Sequence, residues 1–358
     1  WRHGYDWNRC QEAINRFPNY LVDLGRQRLH FIREPGTEVE GAPRPMPLVI
    51  THGWPGSIVE FLHVINELAH PEDHGGDPLD AFDVIAPSLP GYGFSGPPIR
   101  DDGTQGPIGP RAIGRLWHRL VHEKLNYRRP YGVQGGDWGA VVSSWCAFDH
   151  PVKDEKDDWK SGVAGLHLNM MGLRPGIDPR DAKLSAAEQA WLAEMGPALD
   201  DKVAYQRIQA TRPQTLGVAL TDSPVGLAAW IVEKFQAWSD CKGDPLSRFS
   251  MDLLLDNIMV YWLTGTAGTA TWLYRGVTQQ HPRGLPPGEK VTVPTAFAAF
   301  PADLALAPPR EWIERCYELR RHTVMPSGGH FAALEEPRLL VDDIRDFFRP
   351  LRFGAAND

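Results

Sequence analysis

The sequence has few cysteines and lacks any long apolar run. The four cysteines are widely separated and show no metal-ligand spacing: Cys10, Cys146, Cys241 and Cys316. Isolated cysteines of this kind indicate reduced packing residues, which excludes a disulfide-rich secreted scaffold. The sequence contains no signal peptide and no apolar stretch of about 18 residues. We therefore expect a cytoplasmic protein rather than one embedded in a membrane.

Basic charge is also scarce. Lys and Arg total 37 against 45 Asp and Glu, which gives a net charge of −8, and no basic stripe stands out. This excludes nucleic acid and anionic membrane surfaces as favoured partners. Hydrophobic residues, in contrast, make up 42% of the chain and include thirteen Trp, enough for a large core. At 358 residues, one large α/β domain with an insertion fits as well as two domains, and a homodimer is left open.

The most informative stretch is Gly-Gly-Asp-Trp-Gly at residues 135–139. An apolar segment typical of a buried strand precedes it, and a helical apolar pattern follows it. This is the strand, sharp turn and helix of the α/β-hydrolase nucleophile elbow, with Asp137 in place of the usual serine. The elbow strains the backbone of its central residue, so Gly135 and Gly139, two before and two after it, must be small.

An aspartate nucleophile restricts the kinds of substrate that the enzyme can convert. A carboxylate that attacks an acyl carbon forms an anhydride, whereas attack on a saturated carbon forms an alkyl ester on the enzyme. Water can then attack the ester carbonyl and restore Asp137. The substrate should therefore carry an electrophilic sp3 carbon, as in an epoxide or an alkyl halide. A tight turn that merely contains an aspartate is the simpler explanation, and it weakens as partner residues are found elsewhere in the chain.

Strand-like apolar runs alternate with helical patterns through most of the chain. This alternation predicts a mostly parallel, doubly wound α/β sheet. Helical patterns over residues 58–68, 110–125 and 309–321 belong to this core, and the last strand is expected at 322–324.

We expect four segments along the chain. In the third segment helices replace the strands, including one long helix over residues 251–274, which predicts a helical cap inserted into the hydrolase core. Because the chain begins at Trp1 without a methionine, we expect the first segment to be truncated upstream. The segments are an N-terminal arm with the first hairpin (1–45), the first half of the core (46–172), the cap (173–277) and the second half of the core (278–358).

A second glycine-rich motif, His-Gly-Trp-Pro-Gly, follows a predicted strand at residues 52–56. In α/β-hydrolases the loop at this place supplies one N–H group of the oxyanion hole, and the residue after the nucleophile supplies the other. We assign the two donors as the backbone amides of Trp54 and Trp138. A Gly/Pro turn in which His52 satisfies nearby backbone groups would explain the composition, but not the position of the loop relative to the elbow.

Hydrolysis of the ester needs a general base. His330 is the candidate because it follows the last predicted strand after two glycines. The order nucleophile, acid, histidine is that of α/β-hydrolases. The acid that orients His330 should follow the preceding strand, which favours Asp303. Glu335 and Glu336 are the nearest rivals, although acidic residues in the first turn of a helix are explained by the helix dipole.

The leaving group decides which further residues are needed. An epoxide opens to an alkoxide, which needs a proton donor, whereas a halide leaves as a stable anion. Two tyrosine hydroxyls from the cap would meet the need of an epoxide. The cap offers Tyr205, Tyr261 and Tyr274, and their spacing does not choose among them.

Four motifs together resemble those of the microsomal-type epoxide hydrolases, and the similarity covers nearly the whole chain. They are the motifs at 52–56 and 135–139, Leu-Thr-Asp-Ser-Pro-Val-Gly-Leu-Ala-Ala-Trp-Ile at 220–231, and Gly-Gly-His-Phe-Ala-Ala-Leu-Glu at 328–335. The resemblance implies an α/β-hydrolase fold with Asp137 as nucleophile, His330 as base and Asp303 as acid. It also implies two proton donors in the cap, Tyr205 and Tyr274, and no metal or organic cofactor.

The expected reaction is the trans addition of water to an apolar or aromatic epoxide, which gives a vicinal diol by way of an ester on Asp137. A haloalkane dehalogenase is the alternative, because it shares the Asp nucleophile and often a neighbouring Trp. A non-catalytic binding module of the same fold is the third reading, and it would be expected to lack a member of the triad.

Overall fold

One sheet of eight strands organises the molecule. The computed structural model describes residues 1–152, 162–178, 183–200 and 202–353. The strands are β1 (Asn19–Leu24), β2 (Gln27–Glu34), β3 (Met46–Thr51), β4 (Phe82–Pro87), β5 (Tyr131–Gly135), β6 (Val163–Leu168), β7 (Val291–Ala299) and β8 (Tyr317–Val324). Their order is β1-β2-β4-β3-β5-β6-β7-β8, antiparallel from β1 to β4 and parallel from there on. The predicted mostly parallel sheet is confirmed.

Helices cover both faces of the sheet. β3 and β4 are buried along their whole length, which explains why they are continuous apolar runs in the sequence. The first helices are α1 (Trp7–Asn15), α2 (Ile65–Ala69), α3 (Pro110–Arg119) and α4 (Asp137–Asp149). The helix expected over 58–68 is divided into a 3₁₀ turn, Ile58–Phe61, and α2. The helix expected over 110–125 ends as a π-helical turn, Leu120–Lys124.

Between β6 and β7, the described residues form seven α-helices. They are α5 (Ala186–Asp200), α6 (Ala204–Thr211), α7 (Pro213–Asp222), α8 (Pro224–Trp238), α9 (Met251–Thr264), α10 (Ala267–Ala270) and α11 (Trp272–Gln279). The single helix expected over 251–274 is wrong: α9 ends at Gly265, whose φ of 67° is left-handed and costs glycine little. The α8 helix begins at Pro224, and Ser223 Oγ caps it by accepting the amide of Gly226.

The last part of the chain departs from the predicted pattern. A short helix, α12 (Arg310–Glu314), is followed directly by β8, so the expected helix over 309–321 and the expected strand start at 322 are both wrong. In β8, Tyr317 and Leu319 are buried, whereas Glu318 is half-buried and Arg320 is exposed, which is the two-residue alternation of a strand. Two helices close the chain: α13 (Ala332–Glu335) and α14 (Pro337–Phe353).

The N-terminal residues form the predicted helix and hairpin. Asp6 caps α1, and β1 and β2 pair across Gly25, whose φ is 66°. The arm also contacts the cap, since the Tyr5 hydroxyl donates a hydrogen bond of 2.7 Å to Asp256 on α9. Residues 354–358, which end the predicted second half of the core, lie outside the described residues.

Within the described ranges, no single helix is long and apolar enough to cross a bilayer; only α7 and α8 taken together, which meet at 115°, have the length and composition. The described residues also contain no group of three or more His, Cys, Asp or Glu side chains that could hold a metal ion. The parallel sheet, its covering helices and the helical insertion after β6 are those of the α/β-hydrolase fold.

Candidate active site

The elbow at the end of β5 presents Asp137 at the carboxyl edge of the sheet. Asp137 has a φ of 46°, in the left-handed region that residues other than glycine seldom adopt. Gly135 packs on the backbone of Gly139, and Gly139 packs on the carbonyl oxygen of Thr51, so a methyl group at either glycine would overlap backbone atoms. The two small residues predicted from the motif are therefore required by close backbone contacts.

The loop after β3 holds one oxygen of the nucleophile. The backbone amide of Trp54 donates a hydrogen bond of 2.8 Å to Oδ1 of Asp137. Gly53 lies so close to the Asp137 side chain that a methyl group there would overlap it. Trp138 lies in the first turn of α4, where the amide has no acceptor within the helix. Its role as the second donor to an oxyanion stays a prediction.

His52 has a structural place in this loop. It is buried, its Nδ1 is 3.0 Å from the Gly53 carbonyl oxygen, and its Nε2 accepts the amide of Leu89 at 3.2 Å. Burial lowers the pKa of His52 to about 4, so the ring is neutral at neutral pH. His52 therefore satisfies backbone groups beside the site, as the simpler interpretation of the motif expected.

The predicted base and acid are brought together with the nucleophile. His330 Nδ1 lies 2.6 Å from Oδ1 of Asp303, and His330 Nε2 lies 3.5 Å from Oδ2 of Asp137. A bridge between the loops after β7 and β8, Ala302 to Gly329, aligns the acid with the histidine. The structure thus assembles the three side chains in the geometry of a catalytic triad.

The rival acids point elsewhere. Glu335 accepts the backbone amides of Asp240 and Phe331 at 2.8 and 3.0 Å. Glu336 accepts hydrogen bonds from Ser327 at 2.7 Å and Arg248 at 3.2 Å. Both carboxylates stabilise the turn that carries the histidine and do not orient its ring.

Electrostatics favour a charged His330 in the free protein. Burial alone would lower its pKa, but the carboxylates of Asp303 and Asp137 outweigh burial and raise the pKa of the imidazole well above 6.5. The histidine is nearly inaccessible, with 3% of its side chain exposed.

Two residues near His330 and Asp137 were not singled out from the sequence. The carbonyl oxygen of Trp238 accepts the His330 amide at 2.9 Å, and Asn169 lines the same cavity as Asp137.

Two of the three candidate tyrosines face the nucleophile. Tyr205 on α6 and Tyr274 on α11 line the same cavity as Asp137, with their ring centres 5.8 Å apart. The Tyr205 hydroxyl accepts a hydrogen bond from Gln206 at 3.1 Å, and the buried Tyr274 hydroxyl makes no hydrogen bond of normal geometry among the described residues. Tyr261, in contrast, donates a hydrogen bond to the carbonyl oxygen of Gly56 and so stabilises the loop after β3.

Both cap tyrosines are protonated at neutral pH. Burial raises the pKa of Tyr205 and of Tyr274 above 10, and the negative charge of Asp137 raises both further. The rings are held by tryptophans at the base of the cavity. Trp54 stacks on Tyr205 at 5.0 Å, and Trp138 meets Tyr274 edge to face at 4.8 Å.

A cavity of about 750 Å³ extends from Asp137 under the cap. Its walls are mainly apolar and come from both the core and the cap, with Met170, Trp191, Leu199, Val277 and Phe297 among them. We call it the large cavity. A mainly apolar cavity with a few polar groups, Asp137 among them, is typical of a site for an apolar small molecule.

Comparison with known proteins agrees with this geometry. Residues 1–61 match the family model described as epoxide hydrolase N terminus, and residues 46–190 match that of the alpha/beta hydrolase fold. A protein of Stigmatella aurantiaca with an epoxide hydrolase assignment is 42% identical over 98% of this chain and 74% of its own length. Epoxide hydrolase 1 of Oryctolagus cuniculus is 36% identical over 97% of this chain and 77% of its own length.

The fold is similar to that of solved epoxide hydrolases. The Aspergillus niger epoxide hydrolase structure superimposes with a TM-score of 0.77 at 31% identity, covering 98% of this chain and 83% of that one. The juvenile hormone epoxide hydrolase of Bombyx mori superimposes with a TM-score of 0.81 at 28% identity, covering 99% and 84%. The chain therefore belongs to the epoxide hydrolases of the α/β-hydrolase fold.

Proposed function

We propose that the chain converts an epoxide to a vicinal diol through an alkyl ester on Asp137, which a water activated by His330 then hydrolyses. The observation that carries this proposal is the position of the Asp137 carboxylate. Its Oδ1 is held by the Trp54 amide at 2.8 Å, and its Oδ2 lies toward His330 and the large cavity. One oxygen is thus anchored while the other is available to a substrate carbon.

Ring opening uses the cap. Oδ2 of Asp137 forms a bond to an epoxide carbon, the carbon–oxygen bond of the ring breaks, and the released oxygen takes a proton from Tyr205 or Tyr274. The charge of Asp137 contributes to the raised pKa of both hydroxyls. Formation of the ester removes that charge, so the tyrosines become stronger acids as the alkoxide develops.

Ester hydrolysis uses the histidine. The raised pKa of His330 depends on two carboxylates, and esterification of Asp137 removes one of them. The pKa of the imidazole therefore falls, and His330 becomes able to accept a proton from water. Water attacks Cγ of Asp137, and the negative charge that develops on Oδ1 is stabilised by the amide of Trp54, with Trp138 as the proposed second donor.

The tyrosines favour an epoxide over a haloalkane. A departing halide needs no proton, whereas two protonated hydroxyls that line the cavity opposite Asp137 suit a developing alkoxide. The presence of nucleophile, base and acid in one cluster argues against a non-catalytic binding module. The apolar walls of the large cavity favour bulky apolar or aromatic epoxides.

Replacing His330 with Gln tests the proposal directly. The variant should form a stoichiometric adduct with a styrene-type epoxide, seen as a mass gain on the peptide that contains Asp137. Its steady-state turnover should fall by on the order of 10³-fold because ester hydrolysis lacks a base. The exposed His63, which lies outside both the triad and the large cavity, supplies the matched control as His63→Gln.

Heavy-oxygen water distinguishes the mechanism from direct attack by water. In a single turnover with excess wild-type enzyme, the label should appear in the side chain of Asp137, and the diol should contain ordinary oxygen. Label that enters the diol in the first turnover, or a His330→Gln variant that turns over without an adduct, would contradict the ester.

A further inference from the structure

A second, much smaller cavity borders Asp137 in addition to the large cavity. It measures about 20 Å³, and its polar walls are Asp137, His330, Glu60, Gln134 and Asn169. Apart from Thr51, the rest of its lining is mainly apolar and belongs to the core of the hydrolase domain. Asp137 and Asn169 line both cavities. We call this space the rear cavity.

The rear cavity has the size and polarity for one water molecule. A single water needs about 10–15 Å³ of space and two to four polar partners. Asp137 and His330 both line the space, and Nε2 of His330 lies 3.5 Å from Oδ2 of Asp137, so a water there would lie near the carboxyl carbon that it must attack and the base that must accept its proton.

Glu60 adds a carboxylate to this space. It lies in the 3₁₀ turn after Ser57, the hydroxyl of Ser57 caps the amide of Val59, and the Ser57 amide in turn donates to the Glu60 carboxylate. A methyl group on Gly56 would overlap the Glu60 carboxylate, so the side chain folds back over the loop that carries Trp54. A capping box accounts for the hydrogen bond from the Ser57 amide to one oxygen of the Glu60 carboxylate. It does not explain why the residue borders the rear cavity, beside His330.

We propose that Glu60 is a positioning residue that holds the hydrolytic water in the rear cavity by accepting its second hydrogen. This inference rests on the proposed ester mechanism. One water proton goes to Nε2 of His330, the water oxygen bonds to Cγ of Asp137, and the carbonyl electron pair moves to Oδ1. The intermediate then breaks the bond to the diol oxygen, which takes the proton from His330. The second water proton, left on the re-formed Asp137 carboxyl, replaces the one that the tyrosine gave up in ring opening, and Glu60 keeps its own protonation state throughout.

Burial and two neighbouring charges set the protonation of Glu60. Mainly through burial the pKa of Glu60 is raised to about 8, with the positive charge of His330 acting to lower it and the charge of Asp137 acting to raise it. Loss of the Asp137 charge on esterification lowers the pKa of Glu60, and loss of the proton from His330 raises it, so the two changes oppose each other. An ionised carboxylate is an acceptor only, which suits a water whose oxygen must point toward Cγ.

Glu60→Gln separates this role from the capping role. The Gln side-chain oxygen can still accept the Ser57 amide, which leaves an N–H donor toward the rear cavity in place of the acceptor. In rapid-quench experiments with a styrene-type epoxide, we expect alkylation within about threefold of wild type and ester hydrolysis slowed at least about tenfold, with kcat and KM falling together. Glu67→Gln makes the same chemical change on α2, outside both cavities, and should leave both rates unchanged.

The adduct also reports folding, because only folded enzyme becomes alkylated. Wild-type hydrolysis of the ester in Glu60→Gln would overturn the positioning role. Equal losses in alkylation and hydrolysis would overturn it as well, since they would indicate a capping role alone. If wild type itself forms no adduct, the ester mechanism fails, and the role of Glu60 fails with it.

Discussion

At the scale of single residues, the site depends on a backbone conformation that few side chains tolerate. Asp137 has a φ of 46°, a region in which aspartate is found more often than most residues. The turn points the carboxylate away from the sheet. There the amide of Trp54 donates to Oδ1, and the imidazole of His330 lies beside Oδ2. The backbone, rather than side-chain rotation, therefore decides which oxygen is free to react.

Removal of the two cap hydroxyls should affect ring opening alone. We expect Tyr205→Phe or Tyr274→Phe to slow alkylation by about 10-fold and the double change by on the order of 10³-fold, because either hydroxyl can supply the proton in part. The rate of adduct formation in a His330→Gln background measures this step. Undiminished alkylation in the double variant would rule out the tyrosines as donors, and Tyr20→Phe on the exposed face of β1 is the control.

Single residues differ in how well the sequence predicts them. Asp137, Asp303 and His330 follow from chain order, because each comes after a strand that ends at the same edge of the sheet. Tyr205 and Tyr274 cannot be distinguished from Tyr261 by spacing, since all three lie in apolar helices of the cap. Glu60 escaped notice because Ser-x-x-Glu is also a common helix start, and its nearness to His330 exists only in the folded chain.

At the scale of elements, β3 and α4 meet too closely for any side chain at residue 139. We expect Gly139→Ala to lower the free energy of unfolding by about 2 kcal/mol or more, because a methyl group would overlap the carbonyl oxygen of Thr51 on β3. Activity should fall with it, since the same shift moves the nucleophile. Urea unfolding and epoxide turnover check this expectation.

A matched control exists on the cap. Gly196 lies inside α5 with open space around it, so Gly196→Ala should leave activity unchanged and slightly stabilise the helix. A stable and active Gly139→Ala protein would show that the elbow can relax, contrary to the close contacts described above.

Elements with a strong local signal were predicted well, and elements decided by packing were not. The β5 strand and the α4 helix have clear apolar patterns and a glycine-rich turn between them. Residues 317–321 contain charged residues that favour helices, and only their place beside β7 makes them a strand. The α7 helix was missed, because its apolar positions merge with those of α8 across the short turn at Ser223.

At the scale of the whole molecule, a buried carboxylate ties the last helix to the sheet. Asp343 on α14 accepts hydrogen bonds of 2.6 Å from Arg321 and Thr323 on β8, and lies 3.0 Å from His167 on β6. Burial would raise the pKa of Asp343, but these partners outweigh it and hold the pKa well below its usual range. The C-terminal helix is thereby joined to both strands that flank β7.

Asp343→Asn should destabilise the protein in a pH-dependent way. We expect a loss of about 3 kcal/mol at neutral pH, because three partners lose a buried charge. The folded pKa is depressed, so the contribution of Asp343 is complete above the unfolded pKa of about 4 and disappears as the pH falls below it. Urea unfolding should therefore show a smaller difference between variant and wild type at about pH 3 than at pH 7.

The exposed Asp346 on the same helix provides the comparison, and Asp346→Asn should change stability by less than about 1 kcal/mol. A difference between Asp343→Asn and wild type that is the same at both pH values would mean that the carboxylate is not preferentially ionised in the fold.

The placement of the Asp137 carboxylate between two cavities has a consequence for the range of substrates. On the proposed mechanism, a bulky apolar substrate can fill the large cavity and displace the solvent there while the hydrolytic water stays in the rear cavity. Exclusion of solvent from the large cavity and delivery of the hydrolytic water are then independent of each other. Such an enzyme can accept substrates of many shapes without slower hydrolysis of the ester.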